Sequence, residues 1–161
     1  MTSRQPGYRE LSPREREVLR LIADGNTTKQ AARAMKVAPA TAQRHLVNVS
    51  AKLGTTKERA AMVHRAYTLG QLDPPEHSVP ISITKIPPAE RDILNGLANG
   101  WSLAEVVASK GLYLLTARDD ERTLKTRLGA TNTAHLITRA WQLRLLGPES
   151  TSTPNGPATH T

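Results

Sequence analysis

The sequence predicts an all-α protein made of two tandem four-helix modules joined by a proline-containing linker. Three observations carry that prediction. A shift of 75 residues aligns Leu11 to Thr56 with Ile86 to Thr131 without a gap, and 11 of the 46 paired positions are identical. Apolar residues recur at helical spacing in both copies. The longest strand candidate is only "SVPISITK", residues 78–85, which contains Pro80. A period this long exceeds a solenoid repeat and reads as two domains. The layout is a module over residues 1–72, a linker over 73–85, a second module over 86–146 and a tail over 147–161. The tail is rich in Pro, Gly, Ser and Thr with almost no apolar content, a composition that predicts disorder.

In the first copy, Ser12 before Pro13, with Glu15 three residues on, is a capping box with proline at the first helical position. Leu11, Val18, Leu19 and Ile22 make the apolar face, and Gly25 is the expected C-terminal cap. A second helix is expected from Thr28 to Met35 behind Thr27 as N-cap. Pro39 then opens a third, whose Ala42, Leu46, Val49 and Leu53 share one face, and Gly54 stops it. A fourth, from about Lys57 to Leu69, presents Ala60, Ala61, Val63 and Ala66, small enough for close helix contact. With one residue deleted from the preceding loop, "RAYTLGQL" (residues 65–72) aligns with "RAWQLRLL" (residues 139–146), so the second copy carries a matching fourth helix.

Charge is divided unevenly between the copies. Residues 1–73 hold 13 basic and 6 acidic side chains, whereas residues 74–161 hold 9 and 8. Nearly all of the net charge of +8, and with it the attraction for a polyanion, lies in the first copy. With no Phe and five Trp plus Tyr, stacking platforms for single strands are hard to build, which favours duplex recognition. The absence of cysteine excludes disulfides, thiolate metal sites and cysteine nucleophiles, and fits a reducing cytoplasm. No apolar run approaches a membrane span, and "MTSRQPGYREL" lacks the core of a signal peptide. Neither paired carboxylates, a glycine-rich phosphate loop nor a nucleophile elbow appears, and the histidines lack ligand spacing. The expectation is a non-enzyme without cofactor or metal, cytoplasmic and associated with the nucleoid.

The stretch "LSPREREVLRLIADGNTTKQAARAMKVAPATAQRHLVNVSAKLG", residues 11–54, closely resembles the LuxR-type helix-turn-helix family of bacterial transcription regulators. The likeness rests on the opening "LSPREREVLRLIADG", Lys29, the "VAPAT" turn, His45 and the closing "KLG". It implies that the second and third helices form the helix-turn-helix, that the third enters the major groove and that the fourth makes a dimer contact. The residues themselves agree. Opposite the core face, the third helix shows Ala40, Gln43, Arg44, Val47 and Asn48. Gln and Asn pair bidentately with adenine, Arg with guanine, and Val touches a thymine methyl, so Gln43, Arg44, Val47 and Asn48 are the candidate base readers. Thr27, Thr28, Lys29, Thr41 and Lys52 are the candidate phosphate contacts. At Gln43 this chain departs from the basic residue common in the family, and Ala38 replaces the usual hydroxyl N-cap.

The second copy keeps the scaffold and loses the reading face. Its third helix shows Leu115, Arg118, Asp119, Arg122 and Thr123, and Ala104 replaces Lys29. Acids there are repelled by flanking phosphates. Glu121 falls in the core slot of Leu46 and must reach solvent or a partner, with Lys125 at i+4 to supply one. Pro87 replaces Ser12 and forfeits the cap; Gly96 replaces Leu21 at a propensity cost of about 1 kcal/mol relative to Ala. Tyr113, Leu114 and Leu115 replace Ala38, Pro39 and Ala40, either as filling between helices or as a protein-contact patch. The expected function is sequence-specific binding of double-stranded DNA in transcription regulation, read by the first module, with the second for pairing or protein contact. Pairing through the fourth helices has two forms, a homodimer or an intramolecular pseudo-dimer. The alternative is an adaptor or antagonist that engages RNA polymerase or another regulator.

Overall fold

Ser12 starts the first helix as the sequence predicts: its hydroxyl accepts from the Glu15 amide, and the Glu15 carboxylate accepts from the Ser12 amide. In the computed structural model, which describes residues 9–76 and 86–148, the same logic sets most of the remaining boundaries. The helices are α1 (Pro13–Ala23), α2 (Thr28–Met35), α3 (Pro39–Leu53), α4 (Arg59–Thr68), α5 (Pro88–Ala98), α6 (Leu103–Lys110), α7 (Leu114–Leu128) and α8 (Thr133–Gln142). No strand occurs among the described residues. Residues 1–8, the linker segment 77–85 with the strand candidate, and tail residues 149–161 lie outside them.

Three local expectations need correction. The C-cap of α1 is Asp24, and Gly25 is the next residue, where φ of +100° takes the chain out of the helix. Helix α4 starts two residues later than expected, at Arg59, because Glu58 is extended and its amide donates to the Thr56 hydroxyl instead of entering a helical turn. Gly96 is more than a loss of helix propensity. A Cβ there would lie 2.3 Å from Cγ2 of the fully buried Val106, so α5 and α6 approach as closely as they do only because the position has no side chain.

The two sets of four helices repeat their internal ties. Arg65 on α4 donates to the Leu53 carbonyl at the end of α3, and Arg139 on α8 donates to the Leu128 carbonyl at the end of α7. Glu15 on α1 pairs with Lys52 on α3, and Glu90 on α5 pairs with Arg127 on α7. Glu121 stays partly exposed and meets Lys125 at 3.3 Å, the escape its sequence context requires.

One apolar core runs through both sets without a break, and α4 against α8 is its most extensive helix pair. Met62, Ala66 and Tyr67 on α4 are buried, as are Ile137, Ala140 and Trp141 on α8. The Trp141 ring lies against both His64 and Tyr67, with centroid separations of 5.7 and 5.3 Å. Its indole Nε1 donates to His64 Nδ1 at 3.0 Å, and the Tyr67 and Thr138 hydroxyls share a hydrogen bond of the same length. Burial raises the Tyr67 phenol above its ordinary pKa. Both polar pairs are thereby satisfied inside the contact, which favours one register of α4 on α8.

The two glutamates of the repeat have opposite electrostatics. Burial opposes ionisation of Glu15, but the Lys52 ammonium, the Ser12 amide and the Ser12 hydroxyl outweigh it and hold its pKa below the ordinary value of 4.5. At Glu90 burial wins: Pro87 has neither amide hydrogen nor hydroxyl to offer, Asp120 adds repulsion, and the pKa rises despite Arg127. The lowered pKa of Glu15 adds stability that is present above its unfolded value and lost as pH falls through its folded one. The raised pKa of Glu90 works the other way, and its contribution is lost as pH rises through the folded value. Glu15→Gln should therefore cost about 2 kcal/mol at pH 7 and progressively less below pH about 4. Glu90→Gln should cost less at pH 7, and urea unfolding of both variants across this range checks the ordering. Gly96→Ala should destabilise by about 1–3 kcal/mol through overpacking despite its better helix propensity. Adding Val106→Ala should make the Gly96→Ala change less costly than it is alone, as read by thermal melts of a double-mutant cycle.

Candidate nucleic-acid interface

Between Asp24 and Glu58 the chain contains no acidic residue, while Lys29, Arg33, Lys36, Arg44, Lys52 and Lys57 all fall within that span. This segment folds as α2, a tight turn and α3. The Thr27 hydroxyl accepts from the Gln30 amide and the Gln30 side chain accepts from the Thr27 amide, a second capping box that the sequence analysis missed. At the other end of α2, Lys36 adopts the left-handed conformation (φ 60°), where the second copy has Gly111 (φ 67°). A lysine there stores roughly 1 kcal/mol of strain that a glycine would avoid.

Pro39 and the apolar face of Ala42, Leu46, Val49 and Leu53, all fully buried, seat α3 against α1 and α2. Helical periodicity then turns the other face outward. Ala40, Gln43, Arg44 and Asn48 are exposed, and Val47 is 36% exposed as one of the few large apolar side chains left in water. The four predicted base readers thus lie together on one open helix face. His45 is half-buried beside it.

The predicted phosphate contacts divide. Lys29 is exposed on α2, and Thr41 is half-buried in the first turn of α3. Thr27 spends its hydroxyl on its own cap, and Thr28 accepts from Arg59 at 3.0 Å. Lys52 does not join the open face: its ammonium sits 2.8 Å from the buried Glu15 carboxylate and links α3 to α1. Tyr113, Leu114 and Leu115, on the second set, are 80%, 38% and 76% exposed, so they do not fill space between helices.

Arg59 and Arg33 escaped the sequence analysis. The Arg59 guanidinium donates to the Thr28 hydroxyl on α2 and to Oε1 of Gln43 on α3, both at 3.0 Å. Its pKa is drawn down by burial, against a smaller opposing pull from Glu58. It ties Oε1 of Gln43 to α4 and leaves the amide NH2 outside that bond. Arg33 lines a surface hollow with Lys29, Val37 and Pro39, at the joint between α2 and α3. Its exposure on the second turn of α2 was the signal available in the sequence.

Residues 9–66 match the family model of bacterial regulatory proteins of the luxR family. They are a LuxR-type helix-turn-helix domain. Two curated relatives, each described as a "putative HTH-type transcriptional regulator", come from Mycobacterium bovis and Mycobacterium tuberculosis. Each is 41% identical over 64 residues, which is 40% of this chain and 7% of the relative. Another from Mycobacterium tuberculosis is 46% identical over 48 residues, 30% of this chain and 5% of the relative. The chain therefore spans only a small fraction of the length of these relatives. No solved structure matches it significantly. Within the LuxR-type domain, α3 follows α2 after a short turn and presents the open face. The matched family is regulatory and not enzymatic.

Arg59→Ala should cost about 1–3 kcal/mol, since it removes two hydrogen bonds from a charged donor in a half-buried setting. In heteronuclear NMR spectra the side-chain amide of Gln43 should shift in this variant while that of Asn48 stays in place.

Proposed function

We propose that this chain is a sequence-specific, double-stranded DNA-binding transcription regulator whose α3 reads the major groove. The observation that carries this reading is the acid-free span from Gly25 to Lys57, folded so that Gln43, Arg44, Val47 and Asn48 share one exposed helix face. Arg44 matches the acceptor pair of guanine, Gln43 and Asn48 the acceptor and donor of adenine, and Val47 the thymine methyl. Lys29, Arg33 and Thr41 flank that face and suit phosphate oxygens, which set register without reading sequence. Thr27 and Thr28 contribute through the start of α2, where the helix amides favour an anion. Lys52 is left out, because leaving Glu15 to reach a phosphate would strand a buried carboxylate. The regulator names of the mycobacterial relatives support the same reading.

The second four-helix set supports a separate role. Asp119, Asp120 and Glu121 occupy the positions of Arg44, His45 and Leu46, and phosphates repel them. The exposure of Tyr113 and Leu115 favours a second reading for that surface, contact with RNA polymerase or another regulator. A pull-down that survives nuclease treatment distinguishes protein contact from DNA bridging.

In selection from random duplexes, the chain should enrich one motif, and Gln43→Ala with Arg44→Ala should relax it by about 1–3 kcal/mol per lost bidentate contact. An unchanged motif in that double variant removes α3 as the reading helix. Lys29→Ala and Arg33→Ala should instead weaken all sequences alike and each flatten the salt dependence by about one phosphate.

A further inference from the structure

Gly25 and Gly100 hold the same place in the repeat, and each touches the opposite half of the chain. A Cβ on Gly25 would meet the Thr131 hydroxyl at 2.6 Å and then the His135 ring; a Cβ on Gly100 would meet the Thr56 hydroxyl at 2.8 Å and then Ala61. Thr131 is the repeat equivalent of Thr56, and His135 that of Ala61 once the one-residue deletion is counted. The first half thus touches the second at the same positions by which the second touches the first. Helix contacts follow the same rule, α1 meeting α8 and α4 meeting α5. This reciprocity is the mark of a twofold axis, and here the axis must pass between α4 and α8, the elements that exchange across it.

Resting on the reading of α3 given above, we propose that the chain meets DNA as a twofold pair contained in one polypeptide. Helix α8 covers the face of α4 that a second copy would need, and α7 stands as the twofold mate of α3 toward the next turn of the same duplex. The first part follows from burial: Met62, Val63, His64, Ala66 and Tyr67 are already enclosed, so α4 has no apolar face left for a homotypic partner. The second adds a direction to the axis: pointed at the duplex, it presents α3 and its mate α7 to successive turns, as half-site readers stand in a symmetric dimer. The mate is not a reader, since its open face carries Asp119 beside Arg122, paired to each other at 2.9 Å. One chain therefore takes one base-reading half-site and approaches the neighbouring half without reading it.

The test converts that silent half. Asp119→Arg with Asp120→Lys alters one exposed and one half-buried side chain outside the apolar core, and an unchanged thermal melt verifies the fold. Binding is followed over a salt series on two duplexes bearing the selected motif, one just long enough for a half-site and one extended on both sides by about a helical turn. The variant should gain salt dependence on the longer duplex only, steeper by about 2, at about 0.9 per phosphate contacted. Sedimentation should give one chain per duplex and a monomer without DNA. Equal slopes on both duplexes, or equal steepening on both, overturn the placement of α7. A dimer of the free chain, or two chains per duplex, overturns the covering of α4. Loss of sequence preference by the wild type on both duplexes would count against α3 as reader, while the mass of the free chain still decides the pairing.

Discussion

The packing of α4 against α8 is the constraint on which the rest of the structure depends. Each four-helix set is small, and a domain of about 60 residues buries a smaller share of its surface than a larger one. Joining them lets Trp141 sit between His64 and Tyr67 and lets both polar pairs be satisfied out of water. Apolar area supplies most of the attraction, and the two hydrogen-bonded pairs supply the register, because a slip of α8 along α4 would leave them unpaired in a dry contact. With that register fixed, α3 and α7 are held at the surface in a defined relation, although they belong to different halves of the sequence.

On this shared skeleton the halves carry different electrostatics. The ties that build the fold recur, with Lys52 replaced by Arg127 and Arg65 by Arg139, so the scaffold accepts either copy's chemistry. Solvent-facing positions carry the difference. Helix α3 shows polar and basic groups fit for a groove, and α7 shows acids and two large apolar side chains. Even the buried glutamates differ, since replacing Ser12 by Pro87 strips away the donors that keep the first carboxylate ionised.

Much of this was legible in the residues. Local signals placed α1, α2 and α3, because Ser12, Thr27, Pro39 and Gly54 act within one helical turn of where they stand. The open face of α3 followed from the spacing of Ala42, Leu46, Val49 and Leu53. What sequence reasoning missed depends on distant partners. Arg59 reads as a surface residue until α2 and α3 close around it, and Lys52 reads as a phosphate contact until Glu15 is found beneath it. Gly96 looks like a weakness of α5 until Val106 is seen pressing on it.

Carrying α4 and α8 on one polypeptide has a consequence for response to dose. Two separate chains that pair through such helices separate on dilution, and the number of pairs then rises with the square of their concentration. Here the partner is tethered, so its effective concentration is set by the connecting segment and not by expression level. A pairing of that kind is as complete at a few copies per cell as at thousands.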